Sequence, residues 1–77
     1  MPTVFILGYK FRFYSSDGNE PPHCHLIREQ KVAKIWLDSL EPEYNHGYGS
    51  TELNRILRLT RQNQNFLLEV WYEYFTR

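Results

Sequence analysis

Hydrophobic and polar residues alternate along the first half of the chain, which is typical of strands with one buried face. The clearest alternation runs from residue 9 to residue 14, with ring side chains on one side: Tyr9, Phe11 and Phe13 against Lys10, Arg12 and Tyr14. The apolar run from Val4 to Leu7 predicts a short buried strand before it. With a tight turn at Leu7-Gly8, residues 3–7 and 9–14 are expected to form a hairpin.

A second pair of strands is predicted over residues 23–28 and 31–38. The loop before them, residues 15–22, is rich in turn formers, and Pro21 and Pro22 make helix unfavourable there. The residues expected to share the core face of this pair are Cys24, Leu26, Ala33, Ile35 and Leu37. The residues expected on the opposite face are His23, His25, Ile27, Val32, Lys34, Trp36 and Asp38.

Helical spacing replaces the alternation in the last third of the chain. Ser50 can cap a helix, and Glu52 lies in its first turn, where the helix dipole favours an acid. A polar interruption at residues 63–65 separates two apolar patterns, which predict helices over residues 51–62 and 65–75. Trp71, Tyr74 and Phe75 are expected in the core. Residues 39–49 carry Pro42, Asn45, Gly47 and Gly49 and are interpreted as a long loop.

The order ββββαα predicts a single α+β domain over residues 1–77. We expect a four-stranded antiparallel meander followed by two C-terminal helices that pack on one face of the sheet. The other face would then be open to solvent or to a partner. An exposed sheet edge on a chain of this size is also compatible with a homodimer, which nothing in the sequence fixes.

Composition narrows the function classes only a little. The 77 residues are 42% hydrophobic, and the nine basic and nine acidic residues cancel, so net charge predicts no polyanion binding. The single cysteine excludes an internal disulfide, and no apolar run approaches the ~20 residues of a membrane span. No signal-peptide pattern is present, so we expect a cytoplasmic protein without membrane contact, and we expect no cofactor.

Several short motifs occur in order along the chain. They are Pro2-Thr3-Val4-Phe5, Gly8-Tyr9, Glu20-Pro21-Pro22-His23-x-His25, Ala33-Lys34-x-Trp36-Leu37-Asp38, Glu52-Leu53 and Trp71-x-Glu73-Tyr74-Phe75. Together they resemble the bacterial domain of unknown function 4160. This resemblance implies small proteins encoded beside a short partner gene, as in toxin–antitoxin modules, and therefore a small partner protein. Leu7 departs from the resemblance, which implies an acidic or polar residue before Gly8.

His23 and His25 lie two residues apart on a predicted strand, so their side chains should share one face, as a metal site or a proton-transfer pair requires. Because no paired ligand spacing occurs elsewhere, we predict no bound metal. If a metal binds, its ligands are His23, His25, Asp38 and His46, with Glu20 as a further candidate. Alternatively, one histidine hydrogen-bonds the Pro-Pro loop and orders the start of the strand.

Cations and flat rings interleave on the second sheet face, a pattern that suits single-stranded RNA. The predicted contacts on that face are Lys10, Tyr14 and Trp36, and Arg55 and Arg58 are added from the first helix. His23 and His25 would act as general acid and base of RNA cleavage, with Lys34 or Arg12 stabilising the transition-state charge. The leading hypothesis is therefore the RNA-directed member of a toxin–antitoxin-type pair, held by a small partner.

Two other interpretations stay open. The second sheet face can be an ordinary solvated surface, and the chain can be a non-catalytic interaction module, either the neutralising member of a pair or a metal-stabilised adaptor. Arg55, Arg58 and Arg61 form a basic strip on the first helix, which either contacts phosphate or pairs with Glu52.

Overall fold

The computed structural model describes residues 3–14 and 18–75 and shows an α+β fold, with an antiparallel sheet followed by two helices. The elements are β1 (Thr3–Ile6), β2 (Tyr9–Arg12), β3 (His23–Arg28), β4 (Lys31–Trp36), β5 (Pro42–His46), α1 (Ser50–Gln62) and α2 (Gln64–Phe75). The strands follow one another in the sheet in chain order, and each neighbouring pair is antiparallel.

The sheet has five strands, so the prediction of four strands is wrong. The additional strand β5 lies within residues 39–49, which were interpreted as a loop, and it pairs with β4 in the register Val32↔His46 and Lys34↔Tyr44. All five of its residues are exposed, so it carries no apolar alternation. Pro42 is tolerated because β5 lies at the edge of the sheet, where a strand can lack a backbone donor.

The turn between β1 and β2 has two residues, Leu7 and Gly8, as the register Ile6↔Tyr9 shows. Both have positive φ, 50° at Leu7 and 85° at Gly8. This is the backbone of a type I′ turn, whose twist matches that of the flanking strands. The corner therefore lies where the sequence predicted it, with a leucine in a left-handed conformation.

The helices pack on the face of the sheet that the alternation assigned to the core. The buried hydrophobic residues are Tyr9, Phe11, Phe13, Cys24, Leu26, Ala33, Ile35, Leu37, Tyr48, Ile56, Leu59, Leu67 and Trp71. Phe13 meets Trp71 of α2 edge to face, with ring centroids 6.3 Å apart. Tyr48, which follows β5, donates a hydrogen bond from its hydroxyl to the Leu26 carbonyl at 3.0 Å, and burial raises the pKa of Tyr48 to about 12.

The helix ends differ slightly from the prediction. Gly49, not Ser50, is the N-cap residue of α1, and it provides no side-chain cap. The break at residues 63–65 is a single residue, Asn63, whose side-chain amide donates to the Leu59 carbonyl at 2.9 Å. Trp71 is buried as predicted, whereas Tyr74 and Phe75 are half-buried. Within the described residues, no helix has the length and apolar character needed to span a bilayer.

Candidate nucleic-acid interface on the open sheet face

The sheet side that faces away from the helices is called the open face here. Its chemically distinctive residues are Lys10, Arg12, Tyr14, His25, Lys34, Trp36, Tyr44 and His46. Arg12, His25, Lys34 and Tyr44 lie directly opposite one another on β2, β3, β4 and β5. Directly opposed residues have Cβ atoms about 4.5–5.5 Å apart, so cations and rings alternate along this row.

Ring side chains also form a continuous series across the open face. Tyr14 and His25 meet edge to face at 4.7 Å between centroids, and Tyr44 lies 6.4 Å from His25. His46 follows at 4.9 Å from Tyr44. We call Tyr14, His25, Tyr44 and His46 the aromatic row. It extends from the end of β2 to the edge strand β5.

His23 lies on the same side of β3 as His25, with 5.4 Å between the ring centroids, and directly opposite Trp36. It is nevertheless covered, so the prediction that this histidine is accessible on the open face is wrong. Its side chain is fully buried, 5.4 Å from the Trp36 ring and 5.2 Å from the Trp71 ring between centroids. Nδ1 is 2.9 Å from the Pro21 carbonyl oxygen, which can only accept, so Nδ1 carries the proton. This contact ties the Pro-Pro loop to the start of β3, which is the structural role considered above for one of the two histidines.

Lys34, predicted to stabilise the transition-state charge, and Trp36, predicted to contact RNA, already have partners. Lys34 Nζ is 2.7 Å from Glu20 Oε1 and 4.7 Å from the centre of the Trp36 ring. The Trp36 indole donates to Glu43 Oε2 at 2.9 Å. A ligand that approaches here must compete with both carboxylates, which reduces what Lys34 and Trp36 can contribute.

The other two cations of the open face are less constrained. Lys10 lies over the Phe5 ring at 6.0 Å, and Arg12 Nε donates to Thr3 Oγ1 at 3.4 Å. In the part of the chain that the structure describes, no carboxylate lies within ion-pair distance of either. Lys10 and Arg12 are therefore the cations available to bind phosphate.

Of the four candidate metal ligands, His23 and His25 lie close together, with ring centroids 5.4 Å apart, but the four do not form a site. Among residues 3–14 and 18–75, no group of three or more His, Cys, Asp or Glu side chains is placed to hold a metal ion. His46 belongs to the aromatic row, and Asp38 follows β4, with its carbonyl accepting from Gln64 Nε2 at 3.3 Å. Cys24 is buried in the core, and burial raises the pKa of its thiol to about 12, so it is unreactive.

Arg55 and Arg58 lie on α1, on the opposite side of the sheet from the open face. The predicted pairing of this strip with Glu52 is also not present. Glu52 instead accepts from Lys31 Nζ and from the Tyr9 hydroxyl, each at 2.8 Å. These hydrogen bonds hold the pKa of Glu52 below its usual value, and the one from Lys31 has the larger effect. Arg55 and Arg58 on α1 thus form a second basic surface, separate from the open face.

The family model described as "Domain of unknown function (DUF4160)" matches residues 8–72. The chain belongs to the DUF4160 family. Comparison with curated proteins and with solved structures found no match. The DUF4160 match begins at the β1–β2 turn and ends in α2, so it includes β2 to β5 and with them every residue of the aromatic row.

The sequence interpretation did not place Tyr44 or His46 on this DUF4160 surface; it named His46 only as a candidate metal ligand, and Tyr44 not at all. They lie at i and i+2 on β5, the spacing that places side chains on the same face of a strand. That spacing was visible in the sequence. Pro42 and Gly47 on either side favoured a loop instead, which concealed it.

Proposed function

We propose that this DUF4160 protein binds single-stranded RNA on the open face, as the RNA-directed member of a toxin–antitoxin-type pair. The aromatic row is the observation that carries the proposal. Bases of single-stranded RNA stack on exposed ring side chains, and a sheet places such rings at regular intervals. Tyr14, His25, Tyr44 and His46 follow one another at 4.7, 6.4 and 4.9 Å between centroids.

Charge supports the same ligand. Lys10 and Arg12 flank the aromatic row on β2, and they are the two open-face cations without a neighbouring carboxylate among the residues described. Phosphates bound there would run beside bases stacked on Tyr14 and His25. The net charge of the chain is zero, so this binding depends on local charge and should be strongly weakened by salt.

For RNA cleavage, His25 is the histidine of the open face that has a cation directly opposite it on each neighbouring strand. It lies between Arg12 on β2 and Lys34 on β4. In the proposed step His25 takes the proton of the ribose 2′-hydroxyl, and the 2′-oxygen bonds to phosphorus. The P–O5′ bond breaks and the leaving oxygen receives a proton from His25, while Arg12 stabilises the phosphorane charge. His23 is given no catalytic role because it is buried and holds Pro21.

A second candidate function is a protein-interaction module. It is favoured by strand β1, which forms the edge of the sheet opposite β5. Phe5 and Leu7, in and directly after edge strand β1, are 71% and 81% exposed. An uncovered edge strand with apolar side chains can add a strand from another chain. The neutralising partner that the toxin–antitoxin proposal requires, or a second copy of this chain, would bind at β1 in this way.

The test measures binding of a short fluorescein-labelled single-stranded RNA by fluorescence anisotropy. We expect Tyr44→Ala to weaken binding about tenfold, because stacking of one base is worth about 1–3 kcal/mol. Tyr72→Ala is the matched control, since Tyr72 is an exposed tyrosine on α2. Expression of wild type beside His25→Ala in a bacterial host, scored for growth and RNA integrity, then tests cleavage.

Equal affinities of the two tyrosine variants, or no binding by the folded wild type, would contradict the RNA proposal and favour the interaction module. Binding that depends on Tyr44, together with intact cellular RNA, would restrict the function to RNA binding without cleavage.

A further inference from the structure

A cleft of about 360 Å³ opens between α1 and the turn that joins β1 to β2. Sites for small ligands have volumes of about 300–1,000 Å³, so the cleft can hold a small molecule. Three arginines line it, Arg28 from the end of β3 and Arg55 and Arg58 from α1. The cleft lies on the helix side of the sheet and is therefore separate from the open face.

The positive charge of the cleft is only partly neutralised. The nearest carboxylate, Glu52, is 2.8 Å from Lys31 Nζ but 3.8 Å from Arg28 Nη1. Lys31 is thus its main partner, and Arg28 is left with the longer contact. Within the described ranges, no carboxylate lies within ion-pair distance of Arg55 or Arg58. The cleft therefore presents guanidinium groups whose charge an incoming anion can satisfy.

Helix stability does not explain the two arginines on α1. Arg55 and Arg58 are three residues apart, so they share a face and repel each other. Glu52 is the acidic residue of α1, and its two oxygens already accept from Lys31 and Tyr9. A pair of like charges that faces a cleft without nearby counter-charge is an arrangement that suits ligand binding.

The donors identify the class of ligand. A guanidinium offers two parallel N–H groups that match two oxygens of one phosphate. Three guanidinium groups, from β3 and α1, match the charge of a phosphate dianion better than that of a single carboxylate. Gln62 adds an amide at the same wall, whereas Leu7 and Leu59 add apolar surface. The lining thus combines anion donors with a wall for an organic group.

We propose that this cleft binds a small phosphorylated molecule. Arg55, Arg58 and Arg28 donate to the phosphate oxygens, and Leu7 and Leu59 contact the organic part. This site is independent of RNA binding on the open face, because no residue of the aromatic row lines the cleft.

The test uses the full-length protein labelled with ¹⁵N and titrated with adenosine 5′-monophosphate at constant ionic strength, followed by amide chemical shifts. We expect saturable shifts around Arg55 and Arg58, weaker binding of inorganic phosphate, and none of adenosine. Arg58→Gln should weaken binding about tenfold through loss of a charge-assisted hydrogen bond. Arg61→Gln, which removes the same charge from the same helix outside the cleft, should change it less than about twofold.

Arg58→Lys keeps the positive charge but removes the two parallel N–H donors of the guanidinium, so it should also weaken binding. Tyr44→Ala on the open face should leave the titration unchanged. Equal losses in Arg58→Gln and Arg61→Gln would overturn the proposal in favour of diffuse attraction, as would equal affinity for adenosine and its monophosphate. Equal affinity for inorganic phosphate would overturn the assigned role of Leu7 and Leu59.

Discussion

Replacement of Leu7 by asparagine should stabilise the protein, although it removes an apolar side chain. Leu7 has φ 50° in the β1–β2 turn, and the left-handed region costs most residues that have a Cβ about 1–2 kcal/mol. Asparagine is strongly favoured there, and Asn-Gly is a preferred pair of a type I′ turn. The substitution therefore relieves backbone strain where the family resemblance implied a polar residue.

The loss of burial is small by comparison. Leu7 is 81% exposed. Full burial of a leucine is worth about 1.5–3 kcal/mol, so the covered fifth contributes about 0.3–0.6 kcal/mol. Leu7→Asn should thus gain about 0.5–1 kcal/mol in free energy of unfolding. For a domain of this size, that gain raises Tm by about 2–8 °C.

The assay is thermal and urea unfolding followed by circular dichroism, with Leu7→Ala as the matched control. Alanine loses the same side-chain contacts but lacks the short polar side chain that hydrogen-bonds locally in the left-handed region, so we expect this variant to be slightly less stable than wild type. Leu7→Asn with a stability at or below that of Leu7→Ala would refute the reasoning. Leu7 would then stabilise the fold by packing, and its backbone would carry no strain worth relieving.

Two further predictions concern Gly47 and Glu52. Gly47→Ala should lower the free energy of unfolding in urea by more than about 1 kcal/mol, because Gly47 has φ 105° and an added Cβ would lie 2.8 Å from Lys31 Cγ. Gly49→Ala is the control and should be tolerated, because there is open space where its Cβ would lie. Equal losses of stability in the two variants would contradict this prediction. Glu52 has a lowered pKa, so its stabilising contribution is present above its ordinary pKa of 4.5 and disappears as the pH falls through the folded value. The urea midpoint of wild type should therefore fall more steeply on acidification than that of Glu52→Gln, and parallel pH profiles would argue against the role of the hydrogen bonds from Lys31 and Tyr9.

The sequence by itself determined the elements whose burial is periodic. Alternation placed Phe11, Leu26 and Ile35 on the core face of β2, β3 and β4, and all three are fully buried. Helical spacing placed α1 and α2, and Leu7-Gly8 marked the first turn. Each of these follows from local geometry, because strand and helix periods decide which neighbouring side chains share a face.

Only the tertiary structure decided that residues 42–46 form strand β5, that His23 is buried and which residues contact Glu52. β5 is fully exposed and pairs through its backbone with β4, so no apolar pattern marks it. His23 is covered by Trp71 from α2, a contact between distant parts of the chain. Glu52 contacts Lys31 rather than Arg55 for the same reason. These contacts depend on how elements meet in space, which local periodicity does not encode, and they decide which side chains each surface presents to a ligand.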